Sequence, residues 1–116
     1  MNQKEKLKIL SPTLREKHRY VKVKIISEEP ATYSDLESAI YKTFLEFYGE
    51  DGVSKLSLWI VKNLFDEKEQ TLVVRCNNTS IQKVIAGLGL LNRLGDSRLI
   101  IKVLKISGTI NGVNKR

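Results

Sequence analysis

Few side chains in this sequence could carry out covalent chemistry. The chain has one histidine, His18, and one cysteine, Cys76. A catalytic triad would depend on His18, which lies in a charged segment and not in a recognisable pocket motif. The two residues cannot supply the three or four ligands of a typical zinc site, and a lone cysteine cannot form an internal disulfide. We therefore expect no catalytic residue, no bound metal and no cofactor held by the protein itself.

Paired carboxylates, which can perform general acid–base chemistry, occur at Glu28–Glu29 and Glu50–Asp51. Both pairs stand beside proline or glycine and are expected in solvated loops. The segment SEEPATY, which follows the first predicted strand, is acidic and would repel phosphate. An acylphosphatase-like enzyme would need a basic or glycine-rich loop there, so the sequence argues against that class.

The basic residues, by contrast, are concentrated at the two ends of the chain. Of the net charge of +7, residues 1–24 contribute eight Lys or Arg against two Glu, and residues 93–116 contribute six against one Asp. The segment between them carries six basic and ten acidic residues. Such segregation can mark a nucleic-acid-binding surface, and it can equally be a pair of solubilising tails. Charge alone leaves both interpretations open.

Length and composition indicate one globular domain. The 116 residues are 41% hydrophobic and 28% charged, which suits a single core. We predict a basic arm over residues 1–18 with a short helical turn at Thr13–Glu16, a domain over residues 19–110, and a tail over residues 111–116. No apolar run is long enough to span a bilayer, and the first residues lack the apolar core of a signal peptide, so a cytoplasmic protein without a membrane partner is expected.

Hydrophobic periodicity predicts the elements that position the basic residues. RYVKVKIIS alternates as a half-buried strand, and a helix runs from the capping box at Ser34 to Gly49. SKLSLWIVKNLF and TLVVRCN are expected to form a β-hairpin, and a second helix follows a capping box at Thr79. Gly87 and Gly89 suggest that this second helix lies close to the sheet. RLIIKVLKISGTI is the last predicted strand.

This order predicts an α+β fold of the ferredoxin-like or RRM-like type, βαββαβ, with a four-stranded antiparallel sheet and both helices on one face. In that topology the first and last strands are neighbours. Lys22 and Lys24 are then expected near Lys102 or Lys105, which would bring the two basic ends of the chain together.

The strands around Trp59 and Ile101 are apolar on both faces, so something is expected to cover part of the second face. A terminal segment of the chain and a protein partner, including a second copy, are equally good candidates. Tyr20 is the only aromatic residue on the two central strands, so we expect it to pack and not to stack on bases. Contacts to RNA would then be made mainly by Lys and Arg to phosphates.

Four segments, LSPTLREKHRYV, FLEFYGEDGVSKLSLWIVK, TLVVRCN and ISGTI, occur in the same order as similar segments of the archaeal ribonuclease P protein component 2 family. The sequence resembles that family from about Leu10 to Ile110, nearly the whole chain. The resemblance implies a subunit of the endoribonuclease that removes the 5′ leader from precursor tRNA. It also implies that the RNA is the catalyst and uses Mg²⁺.

The resemblance further implies that the chain pairs with ribonuclease P protein component 3, in a heterotetramer around two copies of component 2, alongside other holoenzyme proteins. Matching charge and geometry to these motifs gives the candidate RNA-binding residues Arg15, Lys17, His18, Arg19, Lys22, Lys24, Arg98, Lys102 and Lys105. The candidate protein interface is Leu58, Trp59 and Val61. Two alternatives stay open: a ferredoxin-like protein-interaction module with incidental basic ends, and a free-standing RNA-binding protein.

Overall fold

A computed structural model describes residues 17–114 of the protein. The described elements are β1 (His18–Ser27), α1 (Tyr33–Leu56), β2 (Trp59–Ile60), a 3-10 turn (Lys62–Leu64), β3 (Thr71–Asn77), α2 (Ile81–Leu90), β4 (Arg93–Leu94), β5 (Ser97–Ser107) and α3 (Ile110–Asn114). Arg15 and the helical turn predicted at Thr13–Glu16 lie outside the described residues.

The strands form a five-stranded antiparallel sheet in the order β2-β3-β1-β5-β4. The predicted α+β class is confirmed, and β1 and β5 are neighbours as expected. The prediction of four strands is wrong, because Arg93 and Leu94 add a short fifth strand that pairs with β5. Gly95 makes the tight turn between β4 and β5 with a φ of +63°, which glycine adopts without a steric penalty.

The core lies between α1, α2 and one face of the sheet. The predicted alternation of β1 is confirmed, since Val21, Val23 and Ile25 are buried. Leu36, Ile40 and Phe44 of α1 are buried in the same cluster, as are Val84 and Leu88 of α2. Phe47, predicted on the apolar stripe of the first helix, is 59% exposed.

Helix α1 begins before its predicted start and has a second segment that was not predicted. Its N-cap is Thr32, whose Oγ1 accepts a hydrogen bond of 3.3 Å from the backbone N–H of Asp35. Gly49 interrupts the helix as predicted, because its φ of 70° and ψ of 174° are not helical, and a second helical segment follows it directly and runs to Leu56. The predicted loop position of Glu50–Asp51 is therefore wrong, because both residues are helical.

The first strand of the predicted hairpin, residues 54–65, is wrong over most of its length. Residues 54–56 belong to α1, only Trp59 and Ile60 pair with β3, and a 3-10 turn follows. Leu56 buries its side chain from a helical position, so the apolar pattern is satisfied without a strand there. Ser57, with a φ of 52°, ends the helix in the left-handed conformation.

The close approach predicted for α2 involves the other helix and not the sheet. A Cβ placed on Gly87 would lie 2.6 Å from Cζ of Phe44 on α1. Gly89 has no heavy atom within 4 Å of such a Cβ. Only Gly87 therefore serves helix packing.

Helix α3 lies on the face of the sheet opposite α1 and α2. It contacts β1 and β5, and its Asn114 lines a groove with Lys22 and Thr71, which point away from the core. Val113 is completely buried, although it is not part of the core cluster. The two predicted helices, α1 and α2, do share one face, and α3 is a third helix that forms where a tail was predicted. Part of the second apolar face is thus covered by the C-terminal segment. Within residues 17–114, no helix is long and apolar enough to cross a bilayer.

Candidate nucleic-acid interface

The face of the sheet opposite α1 and α2 carries most of the described basic strand residues, and we call it the basic face. Strand alternation and register place these residues on it: Tyr20, Lys22, Lys24 and Ile26 of β1, Trp59 of β2, Thr71, Val73 and Arg75 of β3, Arg93 of β4, and Arg98, Ile100, Lys102 and Lys105 of β5. None of these is an Asp or a Glu. The face therefore presents cations without interspersed carboxylates.

Lysines face each other directly across β1 and β5. Lys24 pairs with Lys102, and Lys22 pairs with Lys105 after a β-bulge that skips Leu104. Side chains at paired positions have Cβ atoms about 4.5–5.5 Å apart, and like charges placed so are destabilising. Two successive rows of paired lysines therefore concentrate positive charge on β1 and β5, and the nearby carboxylates belong to loops: Asp66 and Glu67 share a groove with Lys22, and Glu28 and Glu69 share one with Lys24. A polyanion would neutralise the positive charge.

Two arginines extend the charge to the edge of the sheet. Arg93 of β4 pairs with Arg98 of β5, and both side chains are exposed. Ile26 and Ile100, which are also paired and exposed, separate these arginines from the lysine rows. The β-bulge in β5 sets Lys105 opposite Lys22, and the short β4 adds Arg93. The basic surface therefore extends across β1, β5 and β4.

The predicted RNA-binding residues fall into two groups in the structure. Lys22, Lys24, Arg98, Lys102 and Lys105 are brought together on the basic face, and His18, which pairs with Asn77 at the start of β1, lies on the same side of that strand as Lys22. Arg19 pairs with the buried Cys76 and so alternates away from that face, and its Nη1 donates to the His18 carbonyl at 2.9 Å. Lys17 is exposed immediately before β1, where its carbonyl accepts from the Asn78 N–H at 2.8 Å.

The three residues predicted as a protein interface have different environments. Leu58 packs against the core, and its carbonyl accepts a 3.5 Å hydrogen bond from the Tyr41 hydroxyl. Val61 is partly buried, and its N–H donates to the Val73 carbonyl at 2.9 Å. Trp59, which pairs with Arg75 on the basic face, is 58% exposed. Only Trp59 presents a large apolar surface to solvent.

Sequence reasoning missed Arg75 and Arg93 as members of this surface. Arg75 interrupts the apolar run TLVVRCN at an outward position, and that single charge in a central strand was the available signal. Arg93 had no such signal, because its strand has only two residues.

The groups with perturbed acidity lie away from the basic face. Burial raises the pKa of the Cys76 thiol, so the nucleophilic thiolate is disfavoured. Burial first, and then Glu37, raise the pKa of Tyr33, whose hydroxyl donates to the Ile60 carbonyl at 3.3 Å. Among residues 17–114 there is no group of three or more His, Cys, Asp or Glu side chains that could hold a metal ion. The described groups with raised pKa values thus lie apart from the cations of the basic face.

Comparison of the sequence with models of known protein families identifies the family of this chain. The model of the Rpp14/Pop5 family matches residues 19–116. The chain belongs to the Rpp14/Pop5 family. The match begins at the second residue of β1 and so includes both lysine rows and the whole sheet.

Curated proteins to which the chain is similar include archaeal ribonuclease P subunits. The chain is 38% identical over 112 residues to ribonuclease P protein component 2 of Pyrococcus furiosus, covering 97% of this chain and 92% of that protein. It is 37% identical over 106 residues to the protein of the same name from Methanocaldococcus jannaschii, covering 91% and 76% of the two chains. The resemblance inferred from the four sequence segments is thereby confirmed.

A solved structure shows the same fold at low sequence identity. A chain in the cryo-EM structure of yeast ribonuclease MRP superposes with a TM-score of 0.64 at 15% identity, over 85% of this chain and 79% of that chain. The shared feature is the arrangement of helices and strands.

Proposed function

We propose that the contribution of this chain to ribonuclease P, of which it is a protein subunit, is to bind the RNA through the basic face and stabilise it for removal of the 5′ leader from precursor tRNA. The observation that carries the proposal is the direct pairing of Lys24 with Lys102 and of Lys22 with Lys105. Paired ammonium groups repel each other, and bound RNA phosphates would relieve that repulsion. Binding gains further free energy because the neutralised phosphates release their counterions.

In this proposal the protein positions and neutralises phosphates, and the RNA with its Mg²⁺ performs the hydrolysis. Lysine and arginine side chains keep their charge at neutral pH, which suits electrostatic binding and not proton transfer. The order β2, β3, β1, β5 resembles that of a ferredoxin-like or RRM-like sheet, and it supports RNA binding on the part of the basic face that α3 leaves exposed.

The protein works in a ribonucleoprotein complex together with RNA and other protein subunits. We further propose component 3 as its direct protein partner, a pair of copies within that assembly, and action in the cytoplasm. Trp59 and the exposed Phe47 on α1 lie on opposite faces of the sheet, so RNA and protein could be contacted at the same time.

Reconstitution tests the proposal. Leader removal from precursor tRNA is measured at moderate Mg²⁺ with the RNA and the remaining proteins, with and without this chain. We expect stimulation by the chain, and an RNA affinity that falls with salt at a logarithmic slope of about −3 to −5 for roughly five phosphate contacts. Absence of stimulation would overturn the proposed function, and an affinity insensitive to salt would overturn its electrostatic basis.

If the chain were instead a protein-interaction module with incidental basic ends, replacement of Lys24 and Lys102 by Glu would leave RNA association and leader removal unchanged.

A further inference from the structure

Two aromatic residues flank an arginine in a single row across three strands of the basic face. Arg75 on β3 pairs with Trp59 on β2 and with Tyr20 on β1. Neighbouring strands lie about 4.8 Å apart, so the row from Trp59 to Tyr20 spans roughly 10 Å. In the sequence, Tyr20 is the only aromatic residue on a central strand, which favours packing over stacking for it alone. The sheet places Arg75 and Trp59 beside it, so the three side chains can act together.

The free protein leaves both the arginine and the tryptophan of this row incompletely satisfied. Nε of Arg75 is buried and has no hydrogen-bond partner among the described residues. Trp59 exposes 58% of its surface, although its indole is one of the largest apolar groups in the chain. A ligand with a flat apolar surface and hydrogen-bond acceptors would satisfy both residues.

Unpaired nucleobases have these properties. They stack on aromatic rings and on guanidinium planes, and their edges accept hydrogen bonds from arginine. Bases inside a duplex are already stacked on each other, so they cannot present a face to this row. In the adjacent row, two residues along β1, the exposed Lys105 is placed to receive the phosphates that flank such a base, and its partner Lys22 lies in the groove beside Asn114 of α3.

We propose that Trp59, Arg75 and Tyr20 form a stacking subsite for an unpaired nucleotide of the RNA, next to the lysine rows that bind phosphate. This proposal rests on the proposed function, because it assumes that RNA occupies the basic face. It adds a preference for single-stranded over double-stranded RNA, which the lysine rows alone would not produce.

The surroundings of Trp59 favour RNA over a protein as the occupant. Its partner across the strands is a cation, and the next row contains the paired Lys22 and Lys105. A protein-binding tryptophan is usually surrounded by apolar residues with charges at the rim. The exposed and paired Ile26 and Ile100 lie at the opposite end of β1.

The test uses the fact that Trp59 is the only tryptophan in the chain, so fluorescence excited at a wavelength that the four tyrosines do not absorb reports on this site alone. The full chain is titrated with oligouridylate and with a fully paired RNA duplex of equal length. Fluorescence at Trp59 is compared with the anisotropy of end-labelled RNA, which reports binding anywhere on the protein. We expect quenching at saturation by the single strand and little quenching by the bound duplex.

Substitutions complete the test. Trp59→Ala is expected to weaken single-strand binding about 5- to 100-fold and to leave duplex binding within about twofold, since stacking contributes roughly 1–3 kcal/mol per base. Trp59→Phe, which keeps an aromatic face, is expected to retain most of the affinity. Arg75→Lys keeps the charge but loses the guanidinium plane, and it is expected to lower single-strand affinity selectively. Far-UV circular dichroism checks that each variant is folded.

The possible failures are distinguishable. Single-strand binding without a change in Trp59 fluorescence, or an equal loss of single-strand and duplex affinity in Trp59→Ala, would overturn the stacking subsite and leave the proposed function intact. Unchanged RNA affinity in Trp59→Ala, together with weaker assembly with the other protein subunits, would identify Trp59 as a protein contact and would also overturn the subsite. No anisotropy change with any RNA would overturn both proposals.

Discussion

Lys24 on β1 and Lys102 on β5 are directly paired across two adjacent strands of the sheet. One comes from the N-terminal quarter of the chain and the other from its C-terminal end, so the pairing exists only in the folded protein. Two ammonium groups in this position repel each other, and the carboxylates nearest in the fold, Glu28 and Glu69 beside Lys24, stand on loops and not on the strands of the basic face. A pair that lowers the stability of the free protein is more easily understood as part of a binding surface.

The Lys24–Lys102 pair predicts that one substitution will change the stability of the protein and its RNA affinity in opposite directions. Lys102→Glu replaces a repulsive pair with an attractive one, and we expect it to raise the free energy of unfolding by about 0.5–1 kcal/mol at low ionic strength. The same variant is expected to bind RNA less tightly. Urea denaturation and RNA anisotropy measure the two effects. Lys83→Glu, on the exposed surface of α2, is the control for net charge. A variant that loses both stability and RNA affinity would contradict the prediction.

The contact between Gly87 and Phe44 predicts opposite effects of two similar substitutions. Gly87→Ala forces a methyl group against the buried Phe44 ring, so the free energy of unfolding is expected to fall by about 1–3 kcal/mol. Gly89→Ala meets no atom within 4 Å and is expected to stabilise the helix by up to about 1 kcal/mol. Chemical denaturation of both variants tests this. Equal effects at the two positions would show that α1 and α2 do not pack as described.

The buried position of Val113 predicts that α3 contributes to stability. Val113→Ala removes two fully buried methyl groups and is expected to lower the free energy of unfolding by about 1–3 kcal/mol. Ile110→Ala, at a position on the same helix that is 44% exposed, is the matched control and is expected to change it by less than about 0.5 kcal/mol. If the two variants were equally stable, α3 would not be docked on the sheet.

The buried thiol predicts a loss of stability at alkaline pH. Burial raises the pKa of Cys76, so the folded state opposes its ionisation. Its stabilising contribution is complete below the pKa of the unfolded thiol, about 8.5, and is lost as the pH rises above that value. Cys76→Ala is therefore expected to flatten the fall in stability between about pH 8 and pH 10. An unchanged pH dependence in Cys76→Ala would show that the thiol does not contribute.

The fold could be predicted wherever a segment follows one simple period. β1 and β3 alternate between apolar and polar residues or are continuously apolar, and their predicted bounds are within one residue of the structure. The neighbouring positions of β1 and β5 then followed from the order of the elements alone. The prediction of a strand over residues 54–64 is wrong because these residues suit a strand locally, whereas a second helical segment after Gly49 runs to Leu56 and buries its side chain.

The lysine rows of the site could be predicted, because they depend only on the positions of the charges and on the order of the strands. Charge counting and topology were sufficient to place Lys22 and Lys24 beside Lys102 and Lys105. The row of Trp59, Arg75 and Tyr20 could not be predicted, because it depends on the register of a strand only two residues long. Register of that kind is decided by turns and tertiary packing, which a local pattern does not encode.

The measurement that tests the central claim most directly is leader removal by a reconstituted ribonuclease P containing Lys24→Glu/Lys102→Glu. Its control is the same assembly containing Lys42→Glu/Lys83→Glu, which makes the same change in net charge on the exposed surfaces of α1 and α2. We predict that the first variant requires at least about tenfold more protein for half-maximal stimulation, since two phosphate contacts are replaced by repulsion. The control variant is predicted to match the wild type. Equal stimulation by the two variants would contradict the account of the basic face.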